Sequence, residues 1–124
     1  MAPRILYIED NFENRMLVRR VLMVEGIEVI EVDNARDGIA SARDNPPDLI
    51  LMDISMPDLD GLEATRLLRQ YPELDGVPII AVTANVMKGD REETLAAGCD
   101  GYIPKPIDVD RFPEQITRFL NLDG

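Results

Sequence analysis

Strand-like and helix-like patterns alternate five times along this chain, and that alternation is its strongest constraint. Short apolar runs cover residues 4–9, 27–32, 48–52, 77–82 and 101–104, and each is followed by a segment with helical spacing. Parallel strands cannot be joined by a tight hairpin; they need a crossover, usually a helix. Strict alternation therefore implies one parallel sheet with helices on both faces. The expected fold is α/β: a flavodoxin-like doubly wound (βα)5 parallel sheet. Its strand order, 2-1-3-4-5, is the order known for that fold rather than one these strand patterns select.

The helical segments carry their own punctuation. The first, 13–25, places Leu17, Val21 and Val24 on one face and stops at Gly26. The second opens on Asn34 as a cap, turns Ala35, Ile39 and Ala42 inward and ends at Pro46-Pro47. The third spaces Ala64, Leu67, Leu68 and Tyr71 as one stripe. The last, from about residue 108, aligns Val109, Phe112, Ile116 and Phe119. The fourth, 85–97, is different: residues 88–94 include no apolar side chain, so it should be the least anchored helix. Strand 27–32 interleaves Glu28 and Glu31 with its apolar residues and reads as the more exposed strand.

Composition narrows the function. With 124 residues and 45% hydrophobic content, the chain fits a single domain with a real core, expected to span 1–124 with no output domain. A net charge of −11 argues against nucleic acid and against an anionic membrane surface as partners. No apolar run approaches a membrane span, and no signal-peptide pattern opens the chain. The single cysteine, Cys99, lies in a small-residue turn, and no histidine exists to activate it. It reads as a buried thiol in a reducing compartment, and the expected location is cytoplasmic.

The chemistry lies where the apolar runs stop. The first ends in Glu9-Asp10, the third in Asp53, the fourth in Thr83 and the fifth in Lys105. In a parallel sheet these ends share one edge, the edge at which open α/β sheets bind ligands. Clustered carboxylates repel unless a cation compensates, and magnesium prefers one or two carboxylates plus waters and phosphate oxygens. Asp10 and Asp53 are the expected direct ligands, with the Ser55 backbone carbonyl completing the set and Glu9 acting through water. A carboxylate beside a lysine also suits covalent phosphoryl transfer, in which Asp53 attacks phosphorus. Lys105 would neutralise one side of the phosphoryl group and Thr83 would donate a hydroxyl to it. Each residue has an ordinary alternative: a lone aspartate after a strand is commonly a cap or turn residue. Lys105 is less ordinary, because the chain holds eleven arginines but only two lysines.

The motif set resembles the receiver domain of two-component response regulators over essentially the whole chain. It consists of Glu9-Asp10-Asn11, the segment from Pro47 to Pro57 around Asp53 with Gly61, Thr83-Ala84, and Tyr102-Ile103-Pro104-Lys105-Pro106. The resemblance implies that Asp53 is the phosphoacceptor, Glu9 and Asp10 the acidic pocket, and the Ser55 carbonyl a magnesium ligand. It implies that Thr83 and Tyr102 are the switch pair, that Lys105 contacts phosphate, and that the peptide before Pro106 is cis. The family often has two aspartates where this chain has Glu9-Asp10.

The implied function is a stand-alone regulator of the chemotaxis or cell-cycle type. It takes a phosphoryl group from a histidine kinase or histidine phosphotransfer protein, with Mg2+ as cofactor, and signals to a downstream protein target. It would be no enzyme beyond catalysing its own phosphorylation and dephosphorylation. The chain has no histidine and no glycine-rich phosphate loop, so the donor must be another protein or a small phosphodonor. One alternative is a receiver cut from a hybrid histidine kinase, suggested by Met87-Lys88-Gly89-Asp90. The other is a magnesium phosphohydrolase with an aspartyl nucleophile, but Ser55 stands where such enzymes carry a second aspartate.

Overall fold

The computed structural model describes residues 2–54, 60–84 and 88–121, with the backbone alone over 88–91. Five strands form one parallel sheet: β1 (Arg4–Ile8), β2 (Glu28–Val32), β3 (Leu49–Asp53), β4 (Ile79–Thr83) and β5 (Gly101–Pro104). Their order is β2-β1-β3-β4-β5, as expected. The helices are α1 (Phe12–Val24), α2 (Ala35–Asp44), α3 (Gly61–Leu68), α4 (Lys88–Ala96) and α5 (Phe112–Leu120), with a short 3-10 turn at Pro72–Leu74.

Two apolar layers sandwich the sheet. On one face Ile5, Tyr7, Leu49, Leu51, Val82 and Ile103 pack against Val18 and Leu22 of α1 and Phe112 and Ile116 of α5. On the other, Leu6, Ile8, Ile50, Met52 and Ala81 pack against Ala35 and Ala42 of α2 and Ala64 and Leu68 of α3. Alternation along each strand sends successive side chains to opposite faces, so β3, covered on both, is apolar until its final carboxylate. β2, at the sheet edge, has no fully buried residue, in line with its interleaved glutamates.

Three helical expectations are corrected. In α1 the buried residues are Val18 and Leu22, with Val21 partly buried, while Leu17 is 37% exposed and Val24 82%. Apolar residues occur on several sides of this helix, so spacing alone did not select the face that meets the sheet. Val109 lies outside α5 and is exposed. A turn precedes the helix instead: the Asp108 carboxylate accepts from the Asp110 amide at 3.0 Å, and the Asp108 carbonyl from the amides of Arg111 and Phe112. Tyr71 lies beyond α3. It is extended (φ −96°, ψ 115°), as a residue before proline prefers, and its ring lies 4.1 Å from the Arg43 guanidinium.

Local signals otherwise act as expected. Asn34 caps α2 through its side chain on the Asp37 amide. Gly26 ends α1 at φ +76°, with its amide and that of Ile27 returning to the Met23 and Leu22 carbonyls. Within the described side chains of α4, residues 92–96, only Thr94 is buried. Cys99 is buried beside the Thr65 hydroxyl, and burial pushes its pKa up to about 11, so it is an unreactive thiol.

One residue absent from the sequence reading ties the amino edge of the sheet together. Arg69 donates to the carbonyls of Leu74, Val77 and Gly98 and pairs with Asp100 at 2.7 Å. Asp100 in turn accepts from the Ile79 amide. Among the described residues no buried side-chain nitrogen or oxygen lacks a hydrogen-bond partner.

Candidate functional site

β1 and β3 are adjacent, and their pairing runs Ile8 opposite Met52. One step beyond, Glu9 and Asp53 leave the sheet side by side. Both are almost fully buried, at 1% exposure, whereas Asp10 faces solvent. Carboxylate oxygens of the three lie within 4.8 Å of one another. From β5, Lys105 reaches across, its Nζ 3.1 Å from Asp53 Oδ1 and 3.3 Å from Glu9 Oε1. The Lys105 amide donates to the Thr83 carbonyl at 2.8 Å, which fixes where the lysine leaves the strand. The Lys105–Pro106 peptide is cis, as the resemblance implies.

The loop carrying Glu9 and Asp10 is held from within. Asn11 caps α1 by accepting from the Asn14 amide at 2.8 Å, and its own amide donates to Glu9 Oε2 at 3.2 Å. Arg15 donates to the Glu9 carbonyl at 2.8 Å and pairs with Glu31 of β2. Glu9 Oε1 accepts from Tyr7 Oη at 3.0 Å and Asn14 Nδ2 at 3.3 Å, besides Lys105. Gly61 serves this edge by having no side chain. A Cβ there would lie 2.5 Å from the Asp53 carbonyl oxygen, so the start of α3 closes on the end of β3 only with glycine.

Electrostatics follow from crowding and burial. Burial, then the hydrogen bond and charge of Asp53, raise the Glu9 pKa to about 7. Burial pulls the Lys105 ammonium down, but Asp53 and Glu9 together outweigh it, and its pKa is raised. Burial and Glu9 push the Tyr7 phenol up, so it remains a donor.

The donor set fits a hard divalent cation. Three carboxylates converge, one of them exposed, and a metal there would relieve the repulsion that pushes Glu9 toward protonation. Glu9's oxygens are already occupied by protein donors, which fits a role through water. Ser55 lies outside the described residues. Thr83 ends β4, buried, and Tyr102 lies on the same face of the sheet, opposite Ala81. That face is the one α2 and α3 cover, whereas Tyr7 packs on the opposite face with α1 and α5. Of the expected residues, Glu9, Asp10, Asp53 and Lys105 form one cluster, with Thr83 and Tyr102 on the neighbouring strands. Sequence reasoning missed Tyr7, Asn14 and Arg15. Tyr7 had a signal: it stands two residues before Glu9, so strand alternation sends both side chains to one face.

A groove of about 390 Å³ opens beside Lys105, lined by Asn14, Leu17, Ala84, Pro106 and Ile107. A larger hollow, about 630 Å³, lies by the end of α1 and α5, lined by Glu25, Pro113 and Thr117 among others. It has no buried carboxylate–lysine cluster and is not the candidate site.

Comparison with known proteins agrees with this geometry. The family model described as "Response regulator receiver domain" matches residues 5–117. The polar-differentiation response regulator DivK of Brucella anthropi is 44% identical over 120 residues, covering 97% of this chain and 98% of that protein. The receiver domain of the sensor histidine kinase PA1611 from Pseudomonas aeruginosa, solved with a magnesium ion coordinated in its active-site cleft, is 36% identical. Its TM-score is 0.89, with 98% of this chain and 99% of that one covered. The chemotaxis response regulator CheY4 of Vibrio cholerae superposes with a TM-score of 0.92 at 24% identity over 96% of this chain and 99% of that one, a likeness of fold. The 2-1-3-4-5 sheet is an architecture shared with these proteins, and the chain belongs to the response regulator receiver domains of two-component signalling.

Proposed function

We propose that this protein accepts a phosphoryl group on Asp53 from a histidine kinase or histidine phosphotransfer protein, in a magnesium-dependent reaction, and passes the signal to a protein partner. The observation that carries this is the contact of Lys105 with Asp53 at 3.1 Å inside the three-carboxylate cluster. An Asp53 oxygen attacks phosphorus and the phosphorus–nitrogen bond of phosphohistidine breaks. The imidazole leaves with the electron pair and takes up a proton. The product is an acyl phosphate. Asp10 and Asp53, with the Ser55 carbonyl, would hold Mg2+, which supplies charge neutralisation on one side of the phosphoryl group. Lys105 supplies it on the other.

The groove beside Lys105 gives a donor protein a partly apolar seat next to the acceptor. Thr83 is the group expected to turn toward the phosphoryl oxygens and Tyr102 the one expected to follow. A single receiver unit and a cytoplasmic location belong to the same proposal. The location is supported by one buried thiol and by the lack, among the described residues, of a helix long and apolar enough to cross a membrane. A second reading, a receiver belonging to a hybrid histidine kinase, is favoured by the 36% identity to the PA1611 receiver. Incubation with acetyl phosphate and magnesium, followed by intact-mass measurement, tests the proposal. It predicts a gain of one phosphoryl group that a chelator prevents; no gain under either condition contradicts it.

A further inference from the structure

We infer that Tyr7 is a positioning residue of the phosphorylation site, acting through Glu9; this rests on the reading of Asp53 as the acceptor. β1 is an interior strand of the sheet, where both faces are covered and aliphatic side chains are the rule. Its neighbours Ile5, Leu6 and Ile8 obey that rule, but Tyr7 brings a phenol to a position with no solvent exposure. Its ring packs in the α1/α5 layer, and its hydroxyl donates to Glu9 Oε1 at 3.0 Å. Tyr7 is paired with Leu51, two residues before Asp53, so its side chain shares a face of the sheet with Glu9 and Asp53.

Among the described residues Glu9 Oε1 has three donors: Tyr7 Oη, Asn14 Nδ2 and Lys105 Nζ. Of these the lysine also contacts Asp53, at 3.1 Å. A phosphoryl group on Asp53 competes for that ammonium. As Lys105 turns to it, buried Glu9 gives up its cationic donor. The Tyr7 hydroxyl, rigid on its strand and the shorter of the two remaining contacts, stays together with the Asn14 amide. The hydroxyl holds the carboxylate in place and lowers the cost of releasing the lysine. Without the hydroxyl, Glu9 retains Lys105 more tightly and the ammonium reaches the phosphoryl oxygens less readily.

Tyr7→Phe removes the hydroxyl and keeps the ring that fills the core. The rate of phosphorylation by acetyl phosphate is measured against donor concentration at saturating magnesium. The measurement covers the natural protein, Tyr7→Phe, Glu9→Gln and the double variant. Tyr7→Phe should lower the saturated rate about tenfold, the worth of one hydrogen bond to a charged acceptor, with the half-saturating donor concentration unchanged. In the Glu9→Gln background the same change should cost less than about twofold, because the two residues act as one unit. A Tyr7→Phe rate equal to that of the natural protein overturns the inference. So does an equal loss in both backgrounds, which would make Tyr7 a packing residue. If the natural protein itself takes no phosphoryl group on Asp53, the acceptor reading falls first and this inference with it.

Discussion

Glu9 is the residue at which the acidic pocket reveals its balance. Its pKa in the fold, about 7, is raised above the ordinary 4.5 because burial and Asp53 both disfavour its charge. A group whose folded pKa is raised stabilises the fold fully below its unfolded pKa and loses that contribution as pH rises through the folded value. The metal-free protein should therefore lose on the order of 3 kcal/mol relative to Glu9→Gln between about pH 4.5 and 8, measured by urea denaturation in chelator. A pH-independent difference would contradict the crowding described here. Added magnesium should reverse the sign, because it requires the ionised carboxylates. Exposed Asp10 should be the residue whose loss the metal feels most directly: Asp10→Ala should weaken magnesium binding at least about tenfold by titration, slow phosphorylation and raise metal-free stability. The carboxylates and lysine were legible because each closes an apolar run. Asn14 and Arg15 were not, because such side chains in the first turns of a helix are ordinary until their partners are known; Tyr7 was legible only as sharing a strand face with Glu9.

Among the elements, strands were read more securely than helices. A strand buried on both faces declares itself by an unbroken apolar run, and β3 and β4 did. A helix must declare a face. α1 has apolar residues at both Leu17 and Val18, and only the sheet decides that Val18 goes in. Arg69 illustrates a different loss: an arginine after a helix gives no sign that four acceptors, on the segments leading into β4 and β5, await it. Arg69→Ala should destabilise the fold by about 2–3 kcal/mol in urea denaturation, since the carbonyls of Leu74, Val77 and Gly98 lose their donor. Phosphorylation at the opposite edge of the sheet should persist. α4 buries only Thr94 among its described side chains, and elements with few buried contacts are the ones that open or move. Thr83→Ala should therefore still take up phosphate but leave hydrogen exchange over α4 and β5 close to the unphosphorylated level. In the natural protein that region should show the largest change. A change confined to α1 and α2 would contradict the proposed coupling.

For the whole molecule, the arrangement has a simple logic. A sheet whose strands all point one way gathers the ends of its apolar runs at one edge, and the chain places its acids, hydroxyl and lysine there. Alternation of strand and helix made the fold class legible. The 2-1-3-4-5 order was legible only as the order known for the flavodoxin-like fold, since nothing in the strand compositions says that β1 sits between β2 and β3. Folding serves to bring Asp53 and Lys105, 52 positions apart, into contact at 3.1 Å beside Glu9 and Asp10. The central claim is that this contact marks the acceptor. It is tested most directly by mapping the phosphoryl group by peptide mass spectrometry after reaction with acetyl phosphate and magnesium, in the natural protein and in Asp53→Asn. The account predicts label on the peptide containing Asp53 and none on the variant. Label persisting at full level in Asp53→Asn would contradict it.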